Sequence, residues 1–516
     1  MSMTTYTPDV LVIGSGAAGL RAAIEAESLG AHTLVVSKAP AGMKTSSAVT
    51  NGFFKAAVGG ASKEEHMKTT LDAGKGLCDP ELVKVLVEEG PNRIEELQRF
   101  GMAIQIRKGS ASCGDDPQAR GLGFVKPLVN YAREAGVEFL ENCTISRLLT
   151  NRGRVVGAVG YADEPVTISA KATILAAGGC GALYSRTDAP LAMLGDGYAL
   201  AYEAGASLRD MEFSQFVPVG LAEEGHPLVV IYGDLVDKGR VLNKEGEDIV
   251  AKYNITNRPL TTMARDQFSA AMMREVVEGR GVDGAVLLDA TKIVKEVGLE
   301  TLIPVDAQRK ALERAGVREK PIKIAPVSHF TMGGAVITPT CETTLPGLYA
   351  AGEVTGGLHG ANRIGGNAMT EIIVFGARAG ASAAAEAKKA TRRTAAKQVE
   401  TEIKAYNHTL TGETSTSPLQ GLRTLMWNSV GIVRSGEGLG EALKAIKGHQ
   451  KTATALTADD HAALRAAIET RLATQTAQLV AAAALKRKES RGTHYRTDYP
   501  QQSEKLTKPT LVKKPA

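Results

Sequence analysis

Cysteine is scarce in this chain, and its few cysteines do not form metal-binding motifs. The 516 residues include five cysteines, and no two of them have C-x-x-C spacing. That spacing is typical of iron–sulfur clusters and structural zinc sites, so the sequence predicts no metal site in this chain. Cysteines scattered in this way also favour a reducing compartment, and we therefore expect a cytoplasmic protein.

Strong charge and long apolar runs are also missing. The net charge of +5 is small for 516 residues, so charge gives no reason to expect nucleic-acid binding. No charged-then-apolar leader precedes Asp9, and no apolar run reaches the roughly 18 residues of a membrane-spanning helix. The sequence therefore predicts no membrane segment of its own, while peripheral attachment to a membrane through a partner stays open.

Glycine, by contrast, is abundant. The 55 glycines and the apolar fraction of 43% fit an α/β protein that is rich in turns. The length suggests about three domains. Between residues 62 and 140 the pattern predicts mostly helices, including Glu81–Glu89 and Pro91–Phe100 separated at Gly90. A loop is expected at Cys113–Asp116.

The first glycine-rich turn predicts a dinucleotide-binding unit. The β-branched run Asp9–Ile13 ends in G-S-G-A-A-G at residues 14–19, and a helical pattern and a second strand, Thr33–Lys38, follow. In such a strand–turn–helix–strand unit a pyrophosphate binds at the helix N-terminus. Ser37 stands where an acidic residue would bind the adenosine ribose.

A second glycine-rich block, G-L-H-G-A-N-R-I-G-G-N-A at Gly357–Ala368, is the most distinctive stretch of the chain. It follows the strand-like Gly347–Glu353 and leads into a helical run. Its four glycines let the backbone approach a ligand while Arg363 presents a fixed cation. Alone it would be read as an ordinary glycine-rich turn, but together with the N-terminal fingerprint it indicates a functional site.

The two motifs together resemble the flavoprotein subunits of succinate dehydrogenase and fumarate reductase, and L-aspartate oxidase. The resemblance extends from the first strand to E-S-R-G-T-H-Y-R-T-D-Y-P at residues 489–500. It implies an α/β fold in which a glutathione-reductase-like Rossmann FAD domain carries an inserted α+β capping domain and a C-terminal helical domain. We assign the FAD domain to residues 1–215 and 325–385, the cap to 216–324, and the helical domain, ending in a loosely held tail, to 386–516.

The resemblance also implies FAD as the cofactor. Membrane-bound members carry a histidine in the loop at residues 42–52 that bonds covalently to the flavin, whereas this chain has Ser46 in its place. The FAD is therefore expected to be non-covalent. The residues expected to bind it are Gly14, Gly16, Ala18, Gly19, Ser37, Lys38, Ser46, Ser47, Asn51, Gly52, Ala177, Gly178, Asp196, Glu353, Asn367 and Ala368.

Three catalytic residues are implied by matches to family motifs. Arg363, and His329 in S-H-F-T-M-G-G, would hold a substrate carboxylate, and Arg265 in A-R-D-Q-F-S would donate a proton. Hydride transfer to a C=C bond needs such a clamp, polarisation and a proton donor on the face opposite the flavin. Arginine can donate a proton only in a dry site where that proton is promptly replaced. The alternatives are a structural histidine and a surface Arg265–Asp266 pair at a helix start.

The sequence departs from the family where a second substrate carboxylate would bind. The family motif Q-F-H-P-T-G becomes Q-F-V-P-V-G at Gln215–Gly220, and the Thr-Glu pair of the cap becomes Ile231–Tyr232. A carboxylate placed against Val217 and Ile231 would lose hydrogen bonds worth about 1–3 kcal/mol each.

We therefore expect Gln215, Val217 and Tyr232 to border a substrate whose distal group is uncharged or bulkier than a carboxylate. Acrylate and its branched or aryl derivatives are examples. The alternative is that the second carboxylate is held elsewhere, for example by Arg240 or Lys238.

The predicted function is FAD-dependent reduction, or formation, of a C=C bond beside a carboxylate, with hydride passing through flavin N5 and an enoate other than fumarate as the substrate. Because no second dinucleotide fingerprint is present, electrons are expected to pass through a separate iron–sulfur or flavin protein, or to oxygen. The alternatives are a conventional flavoprotein subunit of fumarate reductase or succinate dehydrogenase, an amino-acid oxidase like L-aspartate oxidase, and a flavoprotein subunit without catalytic activity.

Overall fold

The structure, a computed structural model, describes residues 3–113 and 120–515 and is built around a five-stranded parallel sheet. Of the loop predicted at Cys113–Asp116, the residues from Gly114 onward lie outside the described part. In spatial order the strands are Leu348–Ala350, Ala172–Leu175, Val10–Ile13, Thr33–Val36 and Glu138–Leu140. The first four are buried along their whole length, as expected for a parallel sheet covered on both faces.

The two helices Ala17–Ser28 and Asn367–Ala387 pack tightly against each other beside this sheet. Glycine at two positions of the second helix makes this approach possible. A Cβ on Gly376 would lie 2.8 Å from the carbonyl oxygen of Ala18, and one on Gly380 would lie 2.3 Å from that of Ala22. Both helices are predicted by the sequence pattern, and the predicted α/β class is confirmed.

One helix differs from the prediction made for residues 81–100. A single helix, Pro80–Glu96, runs through Gly90 and Pro91, and a 3₁₀ turn, Leu97–Phe100, follows it. Gly90 lies against Thr370 of the long helix, where a Cβ would approach the Thr370 methyl group to 2.9 Å. Packing of the buried apolar face outweighs the local helix-breaking tendency of the Gly-Pro pair.

The rest of the predicted FAD domain consists of smaller elements around the central sheet. A four-stranded sheet comprises Thr4–Tyr6, Pro165–Ser169, Arg154–Tyr161 and Thr144–Asn151, and a three-stranded sheet comprises Phe53–Lys55, Ser110–Cys113 and Ile104–Arg107. The remaining helices and short strands are Ser46–Val49, Lys63–Ala73, Arg120–Glu134, Gly181–Leu183, Asp196–Ala204, Leu208–Arg209, Gly334–Val336 and Thr355–Gly356.

The predicted cap contains an antiparallel four-stranded sheet and a hydrophobic cluster of its own. The strands, in spatial order, are Ser214–Leu221, Ile322–Thr331, Val286–Asp289 and Arg240–Leu242. The cluster draws its residues from Val219 to Ile324. The cap helices are Asp234–Asp237, Ile249–Lys252, Leu260–Met263, Arg265–Val277, Thr291–Val297, Leu299–Leu302 and Asp306–Arg314.

Four helices dominate the C-terminal part: Ala396–Thr409, Leu419–Val430, Gly436–Thr454 and His461–Lys486. Two short parallel strands, Val433–Arg434 and Tyr495–Arg496, and a 3₁₀ turn, Glu504–Leu506, complete it. Among the described residues, no helix has the length and apolar character needed to cross a membrane.

The tail is held more firmly than the sequence predicts. Leu511–Val512 forms a strand antiparallel to Leu208–Arg209. Just before it, the backbone N–H of Thr510 donates to Asp210 at 2.9 Å and its hydroxyl donates to Glu212 at 2.7 Å. The expectation of a loose tail rests on its low apolar content, but backbone pairing and buried carboxylates hold this segment instead.

Candidate active site

A cavity of about 780 Å³ lies where the carboxyl ends of the parallel strands face the cap. The strand ends contribute Ile13–Ala18, Val36–Ala39, Ala176–Gly178 and Ala351–Glu353. The cap contributes Leu228–Val230, Tyr232, Gly233, Pro259, Thr261, Thr262, Arg265 and Gln308. In open α/β sheets this edge is the usual ligand site.

The turn after the first strand fits the pyrophosphate of a dinucleotide. Gly14 has a φ of +112°, and a Cβ there would lie 2.3 Å from the carbonyl oxygen of Ala176. The helix begins at Ala17 after Gly16, which has no side chain to cap it, and the Ala17 N–H donates to Ser47 Oγ at 3.1 Å. The leading residues of this helix border the cavity with the positive end of the helix dipole behind them, which suits a phosphate.

A buried carboxylate that lines the same cavity fits a sugar or ribityl hydroxyl. Asp196 Oδ1 is buried without a hydrogen-bond partner among the described residues, while Oδ2 lies 2.7 Å from Lys38 Nζ. Lys38 also lies 3.5 Å from Glu469 of a C-terminal helix. Burial lowers the pKa of Lys38, but Asp196 and Glu469 more than offset this effect and raise it. No motif in the sequence marks Glu469, which is distant in the chain.

Thirteen of the sixteen residues predicted to bind the cofactor line the cavity: Gly14, Gly16, Ala18, Ser37, Lys38, Ser46, Ser47, Asn51, Ala177, Gly178, Asp196, Glu353 and Ala368. The others, Gly19, Gly52 and Asn367, do not. Gly19 serves close packing, since a Cβ there would lie 2.0 Å from the carbonyl oxygen of Gly14. The Asn367 side chain is turned to His66 at 2.8 Å and Thr70 at 3.0 Å.

Two of the predicted catalytic residues, both arginines, meet at one amide oxygen. Gln215 Oε1 accepts hydrogen bonds from Arg363 Nη2 at 3.0 Å and from Arg265 Nη1 at 3.3 Å. Its amide nitrogen donates to Asn362 Oδ1 and to the carbonyl oxygen of Arg363, each at 2.8 Å, which fixes the orientation of the amide. Gln215 is fully buried and does not line the cavity, so it positions the two arginines. The prediction that Gln215 borders the substrate differs from this arrangement.

Arg363 is held in place but has spare hydrogen-bonding capacity. Its guanidinium lies 4.4 Å from the ring centroid of Phe330, and its Nε is buried without a hydrogen-bond partner among the described residues. Burial, with a further contribution from neighbouring Arg265, lowers the pKa of Arg363 to about 10. A cation with an unused donor beside a second cation favours binding of an anion.

His329 is paired with an acid that the sequence analysis missed. His329 Nδ1 lies 2.8 Å from Asp188 Oδ2, and both residues line the cavity. Burial lowers the pKa of His329, and the carboxylate of Asp188 partly offsets this effect. No motif marks Asp188, because its link to His329 depends on a bridge between Thr187 and Ser328 that only the fold creates.

The cap side of the cavity differs from the prediction at Val217. Val217 is fully buried, pairs with Val327 in the cap sheet and does not line the cavity. Tyr232 does line it, and burial raises the pKa of its phenol to about 12. The alternative carboxylate ligands Arg240 and Lys238 are outside the cavity, where Lys238 binds Asp234 at 2.9 Å.

Glu353 places a buried carboxyl group beside the predicted flavin site. It lines the cavity and accepts a hydrogen bond from the backbone N–H of Thr331 at 2.9 Å. Burial raises its pKa to about 7, despite the nearby charge of Arg363.

The fold, the helix N-terminus at Ala17 and Asp196 Oδ1, an acceptor without a partner in the described part of the chain, fit the class of FAD-binding flavoproteins. Residues 9–369 match the family model described as FAD binding domain. Residues 419–515 match that described as fumarate reductase flavoprotein C-term.

Similar proteins span almost the whole chain. The CoM/CoB fumarate reductase of Methanothermobacter marburgensis has a subunit that is 35% identical, over 97% of this chain and 96% of that protein. An L-aspartate oxidase of Caulobacter vibrioides is 34% identical, over 95% of this chain and 93% of that protein. Among solved structures, an E. coli quinol fumarate reductase flavoprotein has a TM-score of 0.86 at 27% identity, covering 97% of this chain and 93% of that one.

The chain belongs to the flavoprotein family of fumarate reductases and succinate dehydrogenases, which also includes the L-aspartate oxidases. It is an FAD-dependent oxidoreductase of this type. The family resemblance and the cofactor predicted from the two glycine-rich motifs are confirmed.

Proposed function

We propose that this flavoprotein reduces, or forms, a C=C bond next to a single carboxylate, and that its substrate is an enoate other than fumarate. The observation that carries the proposal is the shared hydrogen bonding of Arg363 and Arg265 to Gln215 Oε1. It brings two cations together beside His329, while the other cap residues that line the cavity have neutral side chains.

The substrate carboxylate would bind at Arg363 and His329. Arg363 offers a buried donor without a partner in the described part of the chain, and His329 is oriented through Nδ1 by Asp188. Binding there would draw electron density from the double bond toward the carboxylate and make the β-carbon a better hydride acceptor. When bound, FAD supplies or accepts the hydride at N5.

Arg265 would supply the proton to the α-carbon in the reductive direction. Its Nε donates to the carbonyl oxygen of Thr261 at 2.6 Å and its Nη1 to Gln215, which leaves Nη2 for the substrate. Arg265 is only 6% exposed, which meets the requirement for a dry site. A fixed guanidinium that is shielded from water can transfer a proton along a short, defined path.

The proposal extends to the cofactor linkage and the electron route. FAD would be bound without a covalent bond, because Ser46 lines the cavity with a hydroxyl where a histidine would be needed. Acid precipitation should then release all the flavin into the supernatant. Electrons would pass through a separate iron–sulfur or flavin protein, in keeping with the description of the M. marburgensis relative as one subunit of a reductase.

The test is an anaerobic assay of the FAD-loaded chain with reduced viologen as the electron donor. Fumarate is compared with acrylate, methacrylate and cinnamate, and the surface variant Arg240→Ala is the control for the preparation. Turnover of monocarboxylates without fumarate is the expected result. Efficient turnover of fumarate would overturn the proposed substrate class.

A second candidate is a conventional fumarate reductase. It is favoured by the M. marburgensis relative, which is named as one and covers almost the whole chain. An amino-acid oxidase is favoured in the same way by the Caulobacter relative. Turnover of fumarate in the assay would support the fumarate reductase. Peroxide formation with L-aspartate in air would support the amino-acid oxidase.

A further inference from the structure

The cap-side wall of the cavity contains neutral hydrogen-bonding groups that the proposed chemistry does not use. Thr261 is fully buried and lines the cavity, and its Oγ1 has no hydrogen-bond partner among the described residues. A buried hydroxyl left unpaired costs about 1–3 kcal/mol, so such a group in a native cavity wall points to a ligand. The backbone of Thr261 is anchored beside the clamp, because its carbonyl oxygen accepts the 2.6 Å bond from Arg265 Nε.

Tyr232 is a second group of this kind. It lines the same cavity, lies close enough to Arg265 and Arg363 for both guanidinium groups to act on its pKa, and that pKa of about 12 keeps the phenol protonated. No hydrogen bond from its hydroxyl is formed with the residues that the structure describes. Tyr232 and Thr261 therefore present two neutral hydroxyl groups on the cap side of the carboxylate clamp.

The remaining cap residues at the wall add no charge that could balance a second carboxylate. Leu228, Val229, Val230 and Pro259 are apolar, and Gln308 is a neutral amide. Arg265 is the single cation among the described cap residues that line the cavity, and two of its nitrogen atoms are already bonded within the protein. A second carboxylate against this wall would find no cation among these residues other than Arg265, whose remaining Nη2 is assigned to proton transfer.

We infer that the distal end of the substrate carries an uncharged hydrogen-bond acceptor, such as the carbonyl oxygen of a carboxamide, bound by the hydroxyl groups of Thr261 and Tyr232. This inference rests on the proposed function, since it takes Arg363 and His329 as the site of the reactive carboxylate. It narrows the substrate from any enoate to an enoate with one carboxylate, in which the other carbon of the double bond carries a neutral polar group.

The test measures binding and turnover separately. Three saturated acids of nearly equal shape are titrated into the FAD-loaded chain while the flavin absorbance is followed: succinamate, 4-methylpentanoate and succinate. They differ only in whether the distal group is an amide, an isopropyl group or a carboxylate. Succinamate is expected to bind about tenfold more tightly than either of the others, because one to two net hydrogen bonds are worth about that factor.

Two variants identify the residues responsible. Thr261→Val and Tyr232→Phe each remove one hydroxyl and keep the shape, so each should weaken succinamate binding about five- to tenfold and leave 4-methylpentanoate binding unchanged. Thr301→Val, at an exposed position of the cap helix Leu299–Leu302, is the matched control and should change the binding of neither compound. Unchanged flavin spectra and melting temperatures establish that the variants fold.

Succinate binding as tightly as succinamate would overturn the inference, and so would variants that weaken the amide and the isopropyl compound equally. The unsaturated amide, fumaramate, is then assayed with reduced viologen. Selective binding of succinamate without turnover of fumaramate or any other enoate would instead overturn the proposed function and leave the binding assignment intact.

Discussion

Two parts of the cavity lining are built on different principles. At the clamp, defined as Arg363, His329, Gln215 and Asp188, every side chain is bonded to another and the guanidinium lies against Phe330. At the cap-side wall, the hydroxyl of Thr261 has no partner in the described part of the chain. An interlocked clamp can hold one charge in one orientation, whereas a wall of neutral groups selects by shape and hydrogen bonding.

The largest effect is expected for removal of the clamp cation. Arg363→Ala should lower kcat/KM about a thousandfold, because a buried charged hydrogen-bonding pair is lost and the substrate carboxylate is left uncompensated. Arg240→Ala, which removes an exposed cap arginine, should have no effect. The measurement is kcat/KM from steady-state kinetics with the best enoate substrate. A decrease in kcat/KM of less than tenfold would mean that the carboxylate binds elsewhere.

Arg265 is hydrogen-bonded both to Gln215 of the clamp and to Thr261 of the cap-side wall, and its removal tests the chemical step rather than charge recognition. Arg265→Gln should lower kcat about a hundredfold or more, the usual contribution of a general acid, with a smaller change in KM. Reduction of the flavin by viologen should continue, and its reoxidation by the enoate should become slow in stopped-flow measurements. The matched control is Arg274→Gln on the same helix, whose guanidinium faces Tyr253 and not the cavity. Equal losses in the two variants would contradict the assignment.

Variants of Gln215 test whether the clamp depends on the hydrogen bonds that join Gln215 to Arg363 and Arg265. Gln215→Leu keeps the volume but removes the shared acceptor of the two arginines, and we expect kcat/KM to fall about tenfold through lost positioning. Gln215→Glu should act differently, because a carboxylate there would pair with both arginines and compete with the substrate, raising KM more than it lowers kcat. Identical kinetics for the two variants would show that Gln215 has only a packing role.

The smallest expected effect is a shift in pH dependence at His329. Protonated His329 donates from both ring nitrogens, so it binds a carboxylate better, and kcat/KM should fall as the pH rises through the pKa of His329. Asp188 raises that pKa against the lowering effect of burial. Asp188→Asn should therefore move the fall in kcat/KM to lower pH. A profile that stays in place would mean that Asp188 only orients the ring.

The elements that the sequence predicts best are those whose evidence is local. The strand–turn–helix unit at Val10–Ser28 follows from β-branched residues and from Gly14 and Gly19, where a Cβ would clash with the backbone. The Gly-Pro break predicted at Gly90 was wrong, because burial against the helix at Thr370 decided the conformation there.

Site residues that depend on long-range contacts could not be found from the sequence. Asp188 meets His329, and Glu469 meets Lys38, across separations of well over a hundred residues, and no motif marks either acid. Asn367 is predicted to bind the cofactor because it lies in a conspicuous motif, but its side chain turns to His66. A motif therefore indicates which segment of the chain lies near the site, while the direction of each side chain depends on packing.

The pairing of Leu511–Val512 with Leu208–Arg209 affects the order in which the protein can fold during synthesis. About three hundred residues separate the two strands. The ion pair between Lys38 and Glu469 likewise can form only after Glu469 has been synthesised. A growing chain therefore exposes the unpaired edge of strand Leu208–Arg209 until Leu511–Val512 has been synthesised. Closure of this sheet is a late, non-local event, and contacts of such separation are the ones that form slowly.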